Sequence, residues 1–341
     1  MSLAGRYAGG TVARVVRAIG ATCLATLLAA CGVRPASFDP VTPQGRTISD
    51  LFLLVMILSG LVFLLVLSLL TYSIIHFRSR PGDDVASQRS GNGKLEIAWT
   101  VGPALLLTVL FVLTVRTMNS VDASNPGALK IRVIGHQWWW EYQYPDAGVV
   151  TANELHVPVG TPLQLEIDGA DVIHSFWAPQ LGWKVDAVPG RTNTMSLEVD
   201  TPGTHEGACA EYCGAQHAWM RIHVIAQSRD DFNAWLEQQK QPAAAPADAM
   251  AKQGQQVFQS NTCVNCHTIA GAAGSGSVGP NLTHVGSRET IGAGVLDTSV
   301  ANLETWTRDP QQVKPGVLMP SFNSLSDADL QALAHYLEGL K

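Results

Sequence analysis

The fold class this sequence predicts is a multidomain membrane protein. It combines a two-helix apolar hairpin, an all-β domain and a smaller C-terminal module. Three observations predict it. Leu51 to Ile75 contains no charged residue and is long enough to cross a bilayer as a helix, and Ala98 to Val115 is a second, shorter span with Pro103 near its start. From Lys130 to about Ile225 short runs such as Leu163-Gln-Leu-Glu-Ile167 and Met195-Ser-Leu-Glu-Val199 alternate apolar and polar residues. Such runs, broken by Pro and Gly turns, read as strands of a sandwich or barrel. Beyond the Ala/Pro-rich stretch Gln239 to Asp248, a linker by composition, Ser326 to Leu337 carries an N-cap Ser and helical apolar spacing at Leu330, Leu333, Ala334 and Leu337.

Taken in order, residues 1–30 read as a signal peptide. Arg6, Arg14 and Arg17 form a positive n-region, and the apolar run to Ala30 is too short to span a bilayer. The run ends Leu28-Ala-Ala-Cys31, which resembles a lipoprotein cleavage box and implies lipidation of Cys31; ordinary cleavage or none is the alternative. Residues 31–47 follow as an extracytoplasmic segment and 48–116 as the hairpin, with helices expected at about 50–76 and 97–116. The connecting loop carries His76, Arg78, Arg80, Arg89 and Lys94 against Asp83, Asp84 and Glu96, an Arg/Lys excess that marks it as cytoplasmic. Two spans then return the chain to the outer side, where residues 117–238, the linker 239–249 and the module 250–341 fold. The competing reading is a buried hairpin in a soluble protein, but the 46% apolar content and mean hydropathy of +0.12 favour the membrane. A net charge of −6 gives no electrostatic support for nucleic-acid binding.

Two short stretches carry the chemistry. Cys209 to Met220 sets two thiols, an imidazole and a thioether, at Cys209, Cys213, His217 and Met220, within one loop. Soft thiolate and thioether ligands with imidazole select copper, and two bridging thiolates suit a pair of copper ions. A second His must come from elsewhere, and His174 in Asp171-Val-Ile-His-Ser-Phe176 is the best candidate. A Cys209–Cys213 disulfide and a zinc site are the alternatives, the latter with little use for Met220. The second stretch, Cys263-Val-Asn-Cys-His267, is the C-x-x-C-H signature of c-type haem attachment. Two thioether links from Cys263 and Cys266 and an axial His267 follow from it, and Met319 is the expected second axial ligand, ahead of His284 and His335. With Cys23 and Cys31 at the N-terminus, all six Cys are placed, and none is left for a structural disulfide framework.

The set His174 with Cys209-x-Glu211-x-Cys213-x-x-x-His217-x-x-Met220 resembles the CuA centre of subunit II of the haem-copper cytochrome c oxidases, over about Ile48 to Trp235. The resemblance implies a cupredoxin-like Greek-key barrel and a copper ligand in the Glu211 backbone carbonyl. It also implies a magnesium ion met by the Glu211 carboxylate at the boundary with subunit I. In Gly135-His-Gln-Trp-Trp-Trp-Glu-Tyr142 it makes Trp138 the residue that receives the incoming electron. Three adjacent Trp cannot all face one core, so at least one is expected to be exposed or covered by a partner; for Trp139 and Trp140 an equally good reading is that they anchor the domain on subunit I or the membrane interface. Leu95-Glu-Ile-Ala-Trp-Thr100 places Glu96 near the mouth of a proton-uptake path, against the plainer reading of a helix-end carboxylate. Asp186 and Arg191 are expected at the subunit I interface. From Met250 onward, the Pro315-Gly-Val-Leu-Met-Pro-Ser-Phe322 loop and Gly279-Pro-Asn-Leu282 resemble an all-α class I cytochrome c.

The resemblance as a whole implies the electron-input subunit of a proton-pumping oxidase in a bacterial cell membrane. Its expected partners are subunit I, subunit III and an external donor, either soluble cytochrome c or an upstream respiratory complex. Alternatives are the CuA-type subunit of a nitric oxide reductase and, from a different class, a membrane-anchored copper or electron carrier outside any oxidase. Residues 117–250 carry 16 Asp and Glu against 7 Lys and Arg, a field that would steer a basic redox partner. His136, His156, His205 and His223 have no partner motif and read as structural or surface residues.

Overall fold

The structure, a computed structural model, describes residues 36–78, 91–121, 125–272 and 274–341. The signal peptide and Cys31 lie outside the described residues, as do Arg80, Asp83, Asp84 and Arg89 of the connecting loop. Helix α1 spans Pro43–His76 and α2 spans Gly93–Val121. Helix α1 starts well before the apolar run because a cap, and not hydropathy, sets its first residue. Thr42 accepts a hydrogen bond from Gly45 N–H at 2.8 Å, and Pro43 occupies the first turn, where its missing N–H costs nothing. Both helices are apolar all round, with windows of mean hydropathy 3.0 and 2.1 and no buried share, as lipid-facing helices require. The chain enters α1 from the barrel side: Thr42 Oγ1 donates to Leu181 O at 2.7 Å, and Val41 N–H donates to Gln180 O at 2.9 Å.

The β domain has ten strands in two sheets. One runs β3 (Val149–Ala152), β2 (Trp139–Tyr144), β1 (Leu129–His136), β5 (Pro162–Gly169) and β8 (Asn193–Glu198). The other runs β4 (Glu154–Pro158), β10 (Arg221–Gln227), β9 (Gly203–Cys209), β6 (His174–Trp177) and β7 (Val185–Ala187). The pairs β1/β5 and β4/β10 are parallel, so the chain crosses between sheets instead of meandering. Period-2 alternation builds the core: Leu163, Leu165 and Ile167 turn inward, and across the ladder Leu163 faces Leu197 and Leu165 faces Met195. Helix α3 (Arg229–Gln239), capped by Ser228, closes one end with Phe232 and Trp235 packed beside Tyr144.

The C-terminal module is helical: α4 (Ala249–Ser260), α5 (Cys263–Cys266), α6 (Val300–Arg308), α7 (Pro310–Val313) and α8 (Asp327–Glu338), with a short β11–β12 hairpin, Thr290–Ile291 and Leu296–Asp297. The apolar faces of α4, α6 and α8 share one core around Phe258, Leu303, Leu333 and Tyr336. The preceding Ala/Pro stretch packs against the module and is no free spacer. Ala243 N–H donates to Ala270 O at 2.9 Å, and His284 Nε2 donates to Gln241 O at 3.1 Å.

The three tryptophans correct the expectation made for them. All are buried, Trp138 and Trp139 at 8% exposure and Trp140 at 0%, so neither Trp139 nor Trp140 anchors the domain on a membrane or another subunit. Strand alternation does send them to different sides, but the outward side is covered by the chain itself. Trp140 enters the barrel core, whereas Trp139 packs with Ala152 and with Ala293 of the helical module.

Candidate metal centre

Strands β6 and β9 are paired, with Phe176 opposite Cys209, which brings His174 beside the loop that leaves β9. The loop is closed by Cys209 N–H donating to Met220 O at 2.9 Å and by Ala210 N–H donating to Ser175 O at 3.0 Å. The result gathers the expected donors. The two sulfurs, Cys209 Sγ and Cys213 Sγ, are 3.7 Å apart, too far for a disulfide bond, and both thiols are free and buried. Cys209 Sγ lies 3.9 Å from His174 Nδ1 and 3.2 Å from the Glu211 carbonyl oxygen. Cys213 Sγ lies 3.7 Å from His217 Nδ1 and 4.0 Å from Met220 Sδ. The alternating partners put one imidazole on each thiol, the disposition that two metal ions sharing two bridging sulfurs need.

The electrostatics of the thiol pair fit a metal. The hydrogen bond between the sulfurs pulls the Cys209 thiol down to about 3, and His174 adds to it against the cost of burial. The same contact and burial hold the Cys213 thiol far above its usual range. A bound cation would favour the loss of both protons. Asp171, for which the sequence suggested no role, orients the site: its Oδ1 accepts from His174 Nε2 at 2.8 Å, leaving Nδ1 to face the sulfur. Burial pushes His174 down, but its bonds to Cys209 and Asp171 outweigh that and raise it.

The second site is a cavity of about 330 Å³ in the helical module, lined by Cys263, Cys266, His267 and Met319. His267 Nδ1 donates to Pro280 O at 2.7 Å, which fixes the tautomer with Nε2 free for iron. Gly279 lies flat against the imidazole, where any Cβ would strike the ring. Met319 rides on a loop tied by Gln311, whose Nε2 donates to Val317 O at 2.6 Å and Met319 O at 3.1 Å. Arg288, buried with an unpartnered Nε, also lines the cavity. Two neighbouring thiols, a tautomer-fixed His and a buried cation suit a covalent haem with acidic side groups. Burial lowers His267 and keeps it neutral for that purpose, with the Pro280 bond opposing.

The two sites adjoin. Gln137, Trp138, Trp139 and Asn153 of the β domain line the haem cavity. Trp138 Nε1 donates to Cys213 O at 2.9 Å, and Gln137 Nε2 donates to the same oxygen at 2.8 Å. Further contacts tie the modules. Glu154 Oε1 accepts from Thr290 N–H at 2.9 Å, Arg221 N–H donates to Ala293 O at 3.2 Å, and Gln216 Nε2 donates to Pro315 O. Lys314, 2% exposed, donates to Trp138 O at 3.0 Å and to Gly292 O at 2.9 Å.

The remaining expected residues lie elsewhere. Glu96 sits in the first turn of α2, where its Oε1 accepts from Asn92 N–H at 3.2 Å. Glu211 and Asp186 both turn their carboxylates to Lys184 Nζ, at 3.3 and 3.9 Å, on an exposed face, and Arg191 is exposed nearby in sequence. His136, His156, His205 and His223 are structural: His136 stacks on Trp139, His156 stacks on Trp235, His205 bonds Thr201 O and His223 pairs with Glu206. His284 bonds the linker and His335 pairs with Asp248.

Fold and sites together define a membrane-anchored redox protein with a cupredoxin-like barrel and a helical cytochrome module. Family models match along most of the chain: cytochrome c oxidase subunit II, transmembrane domain, over 36–116; the periplasmic domain of the same subunit over 148–227; and cytochrome c over 251–341. Cytochrome c oxidase subunit 2 of Alkalihalophilus pseudofirmus is 40% identical over 312 residues, covering 89% of this chain and 90% of that one. Its counterpart in Bacillus subtilis is 35% identical, covering 79% and 82%. The crystal structure of the periplasmic domain of cytochrome oxidase subunit II from Bradyrhizobium japonicum is 34% identical over 35% of this chain and 97% of that one, with a TM-score of 0.34. The chain belongs to the cytochrome c oxidase subunit II family, with a CuA-type domain followed by a cytochrome c domain, and so to the haem-copper oxidases.

Proposed function

We propose that this chain is the two-pass, electron-input subunit of a proton-pumping oxidase, with its two soluble modules on the outer, periplasmic side. It takes electrons from an external donor at haem c and delivers them through the copper pair to subunit I, with subunit III as a further partner. The observation that carries the reading is Trp138. The residue lines the cavity of the helical module while its indole N–H donates to Cys213 O at 2.9 Å, so one residue touches both sites.

Copper would be held by His174, Cys209, Cys213, His217, Met220 and the Glu211 carbonyl, and haem by Cys263, Cys266, His267 and Met319. The two groups supply one-electron exchange; the residues keep them close, dry and rigid. Asp171 and Pro280 fix the imidazole tautomers on either side. The barrel limits ligand movement, so reduction requires little rearrangement. Covalent tethering makes the exchange between modules independent of diffusional encounter. The Glu211 carboxylate, exposed beside Lys184 and Asp186, is the group that would meet magnesium at a subunit I boundary; within this chain Lys184 supplies the positive charge there. Asp186 and Arg191 belong to that same boundary in this reading, and Glu96 to the opposite end of α2, near proton uptake. The barrel-side start of α1 supports the topology, since it puts both ends of the hairpin on one side of the membrane.

Metal and haem analysis of the purified complex, with optical and EPR spectra, tests the reading. Two coppers for each covalent haem c and a seven-line mixed-valence signal are expected. One copper, zinc, or a Cys209–Cys213 disulfide after reconstitution would remove the copper assignment.

A further inference from the structure

We propose that Lys314 is the positioning residue for electron exchange between the two modules. Its side-chain Nζ clamps the backbone of Trp138 to the haem module by donating to one carbonyl of each. The inference rests on the functional reading above and adds to it a residue that no ligand motif contains.

Lysine is almost never fully buried without a pairing partner. Lys314 is 2% exposed, yet among the described residues no carboxylate forms an ion pair with it. Both of its acceptors are carbonyl oxygens, and they belong to different modules: Trp138 O of the barrel at 3.0 Å and Gly292 O of the haem module at 2.9 Å. A Met or Leu would fill the same space without desolvating a charge. Lys314 therefore serves there through its donors, not its volume.

Its backbone is fixed as firmly as its side chain. Lys314 N–H donates to Pro310 O at 2.8 Å, closing α7. Gln311 of the same short helix holds the Met319 loop from inside, and its Oε1 accepts from Gly316 N–H at 2.9 Å. One helix thus carries both the clamp on Trp138 and the support of the axial Met. From Lys314 the connection continues through Trp138 to Cys213 O, so the clamp sets the gap that an electron must cross. Electron exchange falls steeply as such a gap widens, and small displacements of a positioned group cost rate out of proportion to their size.

The test uses the full chain assembled with its partner subunits, comparing Lys314→Met and Lys314→Arg. After photoreduction of haem c, copper reduction in K314M is expected to slow by about ten-fold or more, with haem content and copper spectrum unchanged. K314R, which keeps N–H donors on a long side chain, is expected to stay within about three-fold of the unsubstituted chain. A filler role predicts the reverse order, with Met tolerated and the larger Arg not. An unchanged rate in K314M would overturn the proposal. A measurement that needs no variant stands beside it. In the intact complex an amine-acetylating reagent should modify Lys314 about ten-fold or more slowly than Lys240 and Lys341, whose side chains are 36% and 56% exposed. Labelling of Lys314 at their rate would overturn the clamp. Absence of the copper signal from the unsubstituted chain would instead count against the functional reading, whatever the labelling of Lys314.

Discussion

His156 shows how one buried side chain writes a pH dependence into the barrel. It stacks on Trp235 with ring centroids 4.1 Å apart, and its Nδ1 is 2.9 Å from Gln227 Oε1. Burial pushes its pKa down to about 4, with the Gln227 bond opposing and Arg288 adding repulsion. Above the unfolded value of 6.5 neither state binds the proton and His156 contributes nothing to the dependence. As pH falls from there toward 4, the unfolded chain takes up a proton that the native state refuses, so stability is lost across that window. The loss amounts to about 3 kcal/mol at its full extent. His156→Phe keeps the stack and removes the titration. Thermal unfolding followed from pH 7 to pH 4 should show a flatter acid limb in the variant, and an identical limb would assign the acid lability to other groups.

At the scale of elements, the haem module depends on how closely α4 approaches α8. Gly254 is the contact point: a Cβ there would run into the Ala332 carbonyl and the Tyr336 Cβ, neither of which is a flexible side-chain end. Gly254→Ala should force the helices apart and cost about 2 kcal/mol, within the range for overpacking of a tight core. Lower yield of covalently bound haem and an earlier melting transition of the module are the expected readouts, with the copper signal unaffected. A fully haem-loaded G254A with unchanged melting would show that the crossing can relax.

For the whole molecule the decisive feature is that the haem module is docked. Trp139 and Ala293 form an apolar contact, and Glu154 bridges the seam with an oxygen that accepts from Thr290 N–H at 2.9 Å. Glu154 is 2% exposed, and burial raises its pKa to about 6, a cost offset by the Thr290 bond and by Arg288. Removing the acceptor in Glu154→Ala leaves a buried N–H without its partner and should weaken the seam by about 2 kcal/mol. Hydrogen exchange of the 290–297 segment and of the Arg221 amide, which donates to Ala293 O, should then speed by about ten-fold or more, while α4 and α8 keep their protection. Unchanged exchange would mean that the apolar contact alone holds the modules together.

Much of this protein was legible without coordinates. Apolar runs, period-2 strands, the Cys209 to Met220 loop and the Cys263 to His267 signature all lie within short stretches, where chain spacing itself dictates which groups meet. Spacing cannot say what covers an outward-facing side chain, and the structure shows Trp139 covered by the chain's own second module. Nor could it supply Asp171 as the orienter of His174, the bond from Trp138 to Cys213 across 75 positions, or the clamp from Lys314 to Trp138 across 176. Local pattern determined the modules and nominated their ligands, because ligand sets and amphipathic periods are properties of neighbouring residues. Only the tertiary structure decided how two redox sites share Trp138, because that depends on which buried polar groups of one module find their partners in the other.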